Sequence, residues 1–386
     1  MFSKENAYHH LTSLVYPRGI GSPGEKIACN YINQLLKRYG IKVNNQVFVF
    51  SKIVDSLTRI LPFLAGVCLW AFTTLFSVHS WIPICLLVII ILILLSLSYL
   101  PTQIGKLHKI NAKFKSTNII GHIPSLSESK NHIVFVAHYD SKSQTLPIAI
   151  RTLCIFILVL SLFLIIFSHL ISFLFLSYPF FSVNQLCGYL SLLSGLLLFT
   201  NFTRNSSFGA SDNASGVSIV LELARVFSQN PLIHTQITVL LTSAEEYGMA
   251  GAFYYMEDIT DLKLNTSFIN IDGVGDNSPV GIVQAKKNIF SRTGKALFNE
   301  IVEKADFLSL PFVPIKTLTG IGFDHIPIAS RGFSVVTLCS YSLKMVLRIH
   351  SKRDLIDHVS RSSLDSIGRL CEKYAKDCDL NKFQDL

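Results

Sequence analysis

Four long apolar runs interrupt an otherwise ordinary succession of helical and strand-like stretches: Ile60–Val78, Ile82–Leu100, Leu153–Leu176 and Val183–Thr200. Each reaches or approaches the ~20 residues that a bilayer-spanning helix needs, and none keeps the polar stripe that a helix packed under a soluble core retains. The pattern predicts four transmembrane helices in two pairs, within residues 60–100 and 150–200. The remaining stretches, 1–52, 105–145 and 205–386, have the periods of a soluble domain. Ser22-Pro23-Gly24-Glu25 has capping-box spacing with Pro at the first helical position, so a helix should run from about Pro23 to Tyr39 and stop at Gly40. Ile41–Phe50, Asn118–Ile123, His132–Ala137, Ile237–Leu241 and Ser267–Ile271 read as strands, and a Gly/Ser/Asp loop from Gly209 leads into a helix ending near Ser228. Strands alternating with helices predict an α/β sheet.

Composition agrees with the apolar runs. Half of the residues are hydrophobic and 15% are charged, against about a quarter charged in soluble domains, so part of the chain should face a lipid bilayer. The net charge of +9 is not gathered into a basic block or an aromatic-basic alternation, which argues against nucleic acid as a partner. Basic residues instead flank the runs: Lys52 and Arg59, then Lys106, Lys109, Lys113 and Lys115, then Lys142 and Arg151, then Arg204. The short connections Ser77–Trp81 and Ser177–Ser182 hold neither Lys nor Arg. The positive-inside rule then places the polar domain and both termini in the cytoplasm. Met1–Leu14 is polar and has no signal-peptide pattern, so anchoring is expected from the internal segments. The eight cysteines show no zinc-type pair spacing and read as reduced thiols. Nothing in the pattern sets an oligomeric state.

The candidate chemistry lies where strands end, the usual place for active sites in α/β sheets. One predicted strand runs into His138-Tyr139-Asp140-Ser141, a second leads to Glu245-Glu246, and a third ends at Asp272. Any one of these has an ordinary structural reading as a cap, a turn or a satisfied histidine. Taken with Asp212 and His350 they form the series His, Asp, Glu-Glu, Asp, His, a supply of imidazole and carboxylate ligands suited to zinc. Asp140, two residues after His138, is suited to fix the imidazole's tautomer.

The blocks Ala137–Ser141, Gly209–Gly216, Ser243–Gly248, Asn270–Gly273 and His350 followed by Asp354 resemble, in this order, the zinc metallopeptidases of the bacterial leucyl aminopeptidase and aminopeptidase Y type. Relatives of that family include glutamate carboxypeptidase and glutaminyl cyclase. The resemblance extends to the opening helix and strand and to Phe323–Leu338, where Asp324-His325 matches a family pair. It implies a mixed, mostly parallel sheet flanked by helices and two Zn2+ ions. Asp212 would bridge both ions, with Glu246 and His350 completing one and His138 and Asp272 the other. Glu245 would be the catalytic base, acting on a peptide with a free amino terminus, and the Asp212–Asn213 peptide would be cis. Two departures stand out. Ile349 occupies the place where relatives often carry an aromatic residue, with Tyr341 the candidate substitute, and two apolar runs separate His138 from Asp212. Ligands of one metal pair must share one side of a membrane, so an even number of crossings is expected in each insertion. Two other readings compete. His138-Tyr139-Asp140-Ser141-Lys142 is shared in part by one-zinc glutaminyl cyclases. A non-catalytic receptor or scaffold on the same fold is the third reading, although such a protein would be expected to have lost ligands or the base.

Overall fold

The computed structural model describes residues 1–75, 88, 105–175, 181–259, 266–286, 291–315 and 322–380. Besides shorter turns, the elements along the chain are α1 (Lys4–Thr12), α2 (Pro23–Arg38), β1 (Lys42–Phe50), α3 (Ile53–Leu75), β2 (Phe114–Ile123), β3 (Asn131–His138), α4 (Ile148–Phe175), α5 (Phe181–Phe199), α6 (Ser215–Gln229), β4 (Thr235–Thr242), α7 (Ala250–Asp258), β5 (Thr266–Ile271), β6 (Val280–Gln284), α8 (Lys295–Phe307), β7 (Phe312–Ile315), α9 (His325–Ser330), β8 (Ser334–Ser340) and α10 (Arg361–Leu380). They divide into two compact units. One comprises Met1–Lys52, Thr102–Ser143 and Asn205–Leu386, the other Ile53–Pro101 and Gln144–Arg204.

The first unit is built on an eight-stranded sheet in the order β1-β2-β4-β3-β5-β8-β6-β7. Its four central strands β4, β3, β5 and β8 are parallel, β2 and β6 pair antiparallel on either side, and β1 forms an antiparallel hairpin with β2. The pleat sends alternate side chains to opposite faces. Ile133, Phe135 and Ala137 of β3 therefore join a core with residues of α1, α2, α6, α8 and α10, while Val134 and Val136 pack with residues of α7 and α9. The predicted mixed, mostly parallel sheet with helices on both faces is what forms. At α2 Ser22 caps as expected, accepting the Glu25 N–H at 3.2 Å, whereas the reciprocal bond shifts by one residue: Glu25 Oε2 accepts the Gly21 N–H at 2.5 Å and the Ser22 N–H donates to the Gly19 carbonyl at 3.0 Å. β2 starts at Phe114 rather than at Asn118 because its hairpin pairing continues to Phe50↔Phe114, beyond its apolar stretch.

The second unit contains three helices among the described residues that are long and apolar enough to cross a membrane: Ile53–Thr74, Ile148–Ile171 and Phe181–Phe199. The fourth expected span, Ile82–Leu100, lies outside the described residues apart from Val88. The first helix starts at Ile53 instead of Ile60 because its polar opening turns find partners. Asp55 accepts the Thr203 hydroxyl at 2.6 Å, and the Arg59 guanidinium sits 4.7 Å over the Phe202 ring. Helix α5 buries a stripe of small and polar residues, among them Asn184, Gly188, Ser191 and Gly195. Its contact with α3 leaves no space for a side chain at Gly66, where a Cβ would overlap the Ser191 carbonyl oxygen. Small residues of this kind let apolar helices approach closely where lipid supplies no hydrophobic driving force. Leu153, Phe156, Val159, Phe163, Phe167 and Leu170 of α4 point outward.

The sheet depends most on residues buried completely beneath it. Phe135 is fully buried and stacks on Phe227 with ring centroids 6.2 Å apart. Phe135→Ala should cost about 3–5 kcal/mol, to be read as a lowered midpoint of thermal unfolding.

Candidate metal centre

The carboxyl ends of the parallel strands carry most of the site. β3 ends on His138, β5 is followed at once by Asp272, and β4 runs through Ser243 and Ala244 into Glu245 and Glu246. Ala244 takes a left-handed conformation, φ 58°, which turns the chain sharply before the two glutamates. Asp212 comes from the loop ahead of α6, and its peptide bond to Asn213 is cis. His350, also left-handed at φ 59°, comes from the segment after β8.

These side chains meet around one carboxylate. Asp212 Oδ1 lies 3.1 Å from His138 Nε2, and Asp212 Oδ2 lies 3.1 Å from His350 Nε2. Asp272 Oδ1 is 3.5 Å from His138 Nε2, and Glu246 Oε2 is 3.0 Å from His350 Nε2. Two trios result, His138–Asp212–Asp272 and Asp212–Glu246–His350, with the ligand atoms of each within 4.8 Å of one another. His138 is 1% exposed, yet neither of its ring nitrogens has hydrogen-bond geometry with a neighbour. A buried imidazole aimed at carboxylates but bonded to none fits a cation held between them, and a donor set of imidazole nitrogen and carboxylate oxygen suits zinc. Glu245 belongs to neither trio, its Oε2 lying 4.0 Å from His138 Nε2.

The loops are held by further groups, of which Arg18 is the one that the sequence did not advertise. Arg18 is fully buried and donates to the carbonyls of Tyr139 at 2.8 Å, Phe208 at 3.0 Å and Gly209 at 2.9 Å, as well as to that of Leu14. One guanidinium thus joins the His138 strand end to the Asp212 loop, although Tyr16-Pro17-Arg18-Gly19 reads as a plain turn. Asp354 accepts the backbone N–H groups of Ser211 at 2.8 Å and Asp212 at 3.1 Å. Asn213 donates to the Ile271 carbonyl at 2.8 Å and so ties the Asp212 loop to the strand that presents Asp272. Gly216 is required by this approach, since a Cβ there would overlap Asn213 Oδ1 and the Ile271 carbonyl oxygen. Asp140 Oδ1 stands 3.5 Å from His138 Nδ1, without hydrogen-bond alignment. Its oxygens accept the backbone N–H groups of Glu245 at 3.2 Å and Glu246 at 3.3 Å, so it also braces the turn carrying both glutamates. Lys142 places its Nζ 3.3 Å from Glu246 Oε2 and donates to the Glu246 carbonyl at 2.6 Å. Tyr341 is 55% exposed on the segment leading toward His350.

Crowded carboxylates dominate the electrostatics. Burial alone would lower the His350 pKa, but Glu246 and Asp212 outweigh it and hold the imidazole at about 9. The same competition leaves His138 well above its ordinary value, raised by Asp272, Asp140 and Asp212 against its burial. Burial, reinforced by Asp272, Glu246 and Asp324, pushes Glu245 well above the carboxylate range, despite the pull of His138. Glu246 is lowered despite its burial, chiefly by His350 and with help from Lys142. Burial raises Asp324 to about 7 despite its bond from the Thr242 hydroxyl.

A sheet of this topology with paired imidazole and carboxylate trios at its strand ends defines a metal-centre α/β protein. Residues 118–375 match Peptidase family M28, about two thirds of the chain, and the chain belongs to that family. It is 25% identical over 169 residues to aminopeptidase YwaD of Bacillus subtilis, a match covering 42% of this chain and 36% of that protein, so it spans little more than a third of the relative's length. Among solved structures it resembles a zinc aminopeptidase from Bacillus subtilis, with a TM-score of 0.58 and 15% identity over 98% of this chain and 95% of the other. A glutaminyl cyclase from Bacteroides thetaiotaomicron is similar to the same degree, with a TM-score of 0.58 and 16% identity over 97% of this chain and 98% of the other. At such identities these structures share the fold.

Two outcomes follow from the geometry. Gly216→Val should part the Asp212 loop from Ile271 and lower zinc content together with thermal stability, by about 1–3 kcal/mol for an overpacked site. Elemental analysis beside a thermal melt reads both. Zinc added to chelator-stripped protein at pH 7 should release protons, because His350 and His138 are held charged below their raised pKa values and must lose a proton to coordinate. The release should diminish as the pH rises through about 9, as measured by calorimetry in buffers of different ionisation enthalpy.

Proposed function

We propose that the protein is a membrane-anchored, di-zinc aminopeptidase, and the observation that carries the reading is the division of Asp212. Its two oxygens face different imidazoles at the same 3.1 Å, as a carboxylate shared by two ions requires. In this reading His138, Asp212 and Asp272 hold one Zn2+, and Asp212, Glu246 and His350 hold the other. Bound zinc supplies Lewis acidity, making water a better nucleophile near neutral pH and polarising the scissile carbonyl. Glu245 takes the proton from the attacking water and passes it to the leaving amine, a role that suits a carboxylate whose proton affinity is raised by burial. Asp140 orients His138 and steadies the glutamate turn. The substrate is a peptide with a free amino terminus.

Stretches 1–52, 105–145 and 205–386 form the peptidase domain, and two pairs of helices within 60–100 and 150–200 anchor it. Both pairs begin and end at neighbouring points of the soluble fold, which supports an even number of crossings for each. Phe50 pairs with Phe114 across the first insertion, and the Ser143 hydroxyl lies 2.8 Å from that of Ser206 across the second. With the basic residues beside the apolar runs, this favours a catalytic domain and termini on the cytoplasmic side. A glutaminyl cyclase is the second reading, suggested by the run His138-Tyr139-Asp140-Ser141-Lys142, which such enzymes share in part. Peptides opening with glutamine separate the two, since hydrolysis liberates glutamine whereas cyclisation liberates ammonia.

Glu245→Gln should reduce hydrolysis of unblocked peptides by a factor of at least about 10² while two zinc ions remain by elemental analysis. Loss of zinc in that variant would exchange the roles given to Glu245 and Glu246. Asp212→Ala should deplete both ions, and full metal content there would end the bridging assignment. A reporter active only after export, fused behind Leu386, should stay silent. Its activity would place the catalytic domain outside.

A further inference from the structure

The turn that carries Glu245 and Glu246 is held from opposite sides. Facing the site, Asp140 accepts the backbone N–H groups of both glutamates. Behind it lies the limb on which the chain returns from the first apolar insertion, residues 105–109. His108 of this limb is fully buried, and its Nε2 stands 2.8 Å from the carbonyl oxygen of Gly248, at the end of the turn. Its Nδ1 faces the Ser51 carbonyl at 3.3 Å, and its own carbonyl accepts the Ser51 N–H at 2.9 Å, so the outgoing limb is tied to the same residue. A carbonyl oxygen only accepts. Burial lowers the His108 pKa and keeps the ring uncharged at neutral pH, so its single N–H goes to the shorter contact, Gly248. The limb has its own seat on α7, which starts directly after the turn. Lys109 Nζ lies 2.8 Å from Glu257 Oε1, and Gly105 packs so closely on Phe253 that a Cβ there would overlap the ring. The turn needs such support, since Ala244, Gly248 and Met249 are left-handed at φ 58°, 94° and 58°, conformations that Ala and Met keep only where contacts enforce them.

The two glutamates do not depend equally on this support. Glu246 has its carbonyl and a carboxylate oxygen on the Lys142 ammonium, at 2.6 Å and 3.3 Å. Among the described residues, Glu245 has no ion pair with Lys or Arg. Its carbonyl accepts the N–H groups of Gly248 at 2.8 Å and Met249 at 2.7 Å, so its direction follows that end of the turn. We infer that His108 is a positioning residue for Glu245: by holding the Gly248 carbonyl it fixes where the base points, and it does so from the first insertion rather than from the sheet. The family match begins at residue 118, so this support comes from a part of the chain outside it. The inference rests on the role proposed for Glu245.

The test uses the full-length protein in detergent, with zinc content, kcat and KM on an unblocked peptide, and backbone hydrogen exchange of the turn measured side by side. His108→Phe keeps a ring and removes the donor. It should lower kcat by at least about tenfold with KM and zinc content unchanged, and exchange across residues 245–250 should quicken. His108→Gln places an amide donor where Nε2 stood and should restore most of the wild-type rate and protection. If the phenylalanine variant does not fold, His108→Asn takes its place, since its shorter amide falls short of Gly248. An equal loss with glutamine, a loss carried by KM, or a loss of zinc would mark His108 as a general support of the fold and overturn the inference. So would a donor-free variant with the wild-type rate or with unchanged exchange. Failure of the aminopeptidase reading shows instead in the wild type: a chain that hydrolyses no unblocked peptide would end that reading and the inference with it.

Discussion

Five carboxylates, those of Asp140, Asp212, Glu245, Glu246 and Asp272, share a small buried volume with two imidazoles and one ammonium. Like charges removed from water repel strongly and are retained only where cations and hydrogen-bond donors compensate them. The surroundings of the site are arranged around that constraint. Asp354 and Asp140 would add to the repulsion, yet each is spent on backbone N–H groups and so works as a brace for a neighbouring loop. Arg18 spends its donors on carbonyls rather than on a carboxylate, which fixes loop geometry while its charge still reaches Asp212, Asp140 and Asp354. The imidazoles are left to compensate the rest, which is why both stand above their ordinary proton affinity, and this crowding of carboxylate and imidazole suits a cation such as zinc.

The long insertions are compatible with this centre because of where they leave the sheet. The β1–β2 ladder is unbroken from Lys42↔His122 to Phe50↔Phe114, so everything between residues 50 and 114 is a hairpin connection enlarged at its tip. Ser206 donates its backbone N–H to the Ser143 hydroxyl at 2.9 Å, closing the second excursion in the same way close to Lys142. Closure entropy grows only slowly with loop length, by about 0.6 kcal/mol per doubling, so an insertion returning to its starting point costs the sheet little. The central parallel strands, whose ends carry His138, Glu245, Glu246 and Asp272, are never interrupted.

What the sequence made legible follows the same division. Strand periodicity located β3, β4 and β5, and with them the residues at their ends, because a buried parallel strand must be continuously apolar up to the point where function begins. Asp212 and His350 belong to loops and stood out only as members of the ordered ligand series and through resemblance; their meeting depends on Asp354, Asn213 and Gly216. Arg18 left no trace, since a single arginine after Tyr-Pro is expected in solvent and its burial is settled by carbonyls more than a hundred residues away. The lengths of α3 and β2 were underestimated for a common reason. Partners elsewhere in the chain, Thr203 and Phe202 for the helix and Phe50 for the strand, extend each element beyond its own hydrophobic pattern.

Neighbouring residues of one type can be given opposite duties only if their surroundings differ, and Glu245 and Glu246 meet that condition. The left-handed turn at Ala244 sends the chain into a tight coil in which the two side chains diverge. Glu246 falls between His350 and Lys142, whose positive charges outweigh its burial and keep it ionised, as a metal ligand must be. Glu245 is buried among Asp272, Glu246 and Asp324, where desolvation and like charge raise its proton affinity above the usual carboxylate range. Pairs of titratable groups driven apart in this way are how one site obtains a permanent anion and a proton carrier from the same chemistry. The roles proposed for the two glutamates therefore rest on what each side chain faces, and exchanging them would require moving Lys142 and His350 rather than altering either glutamate.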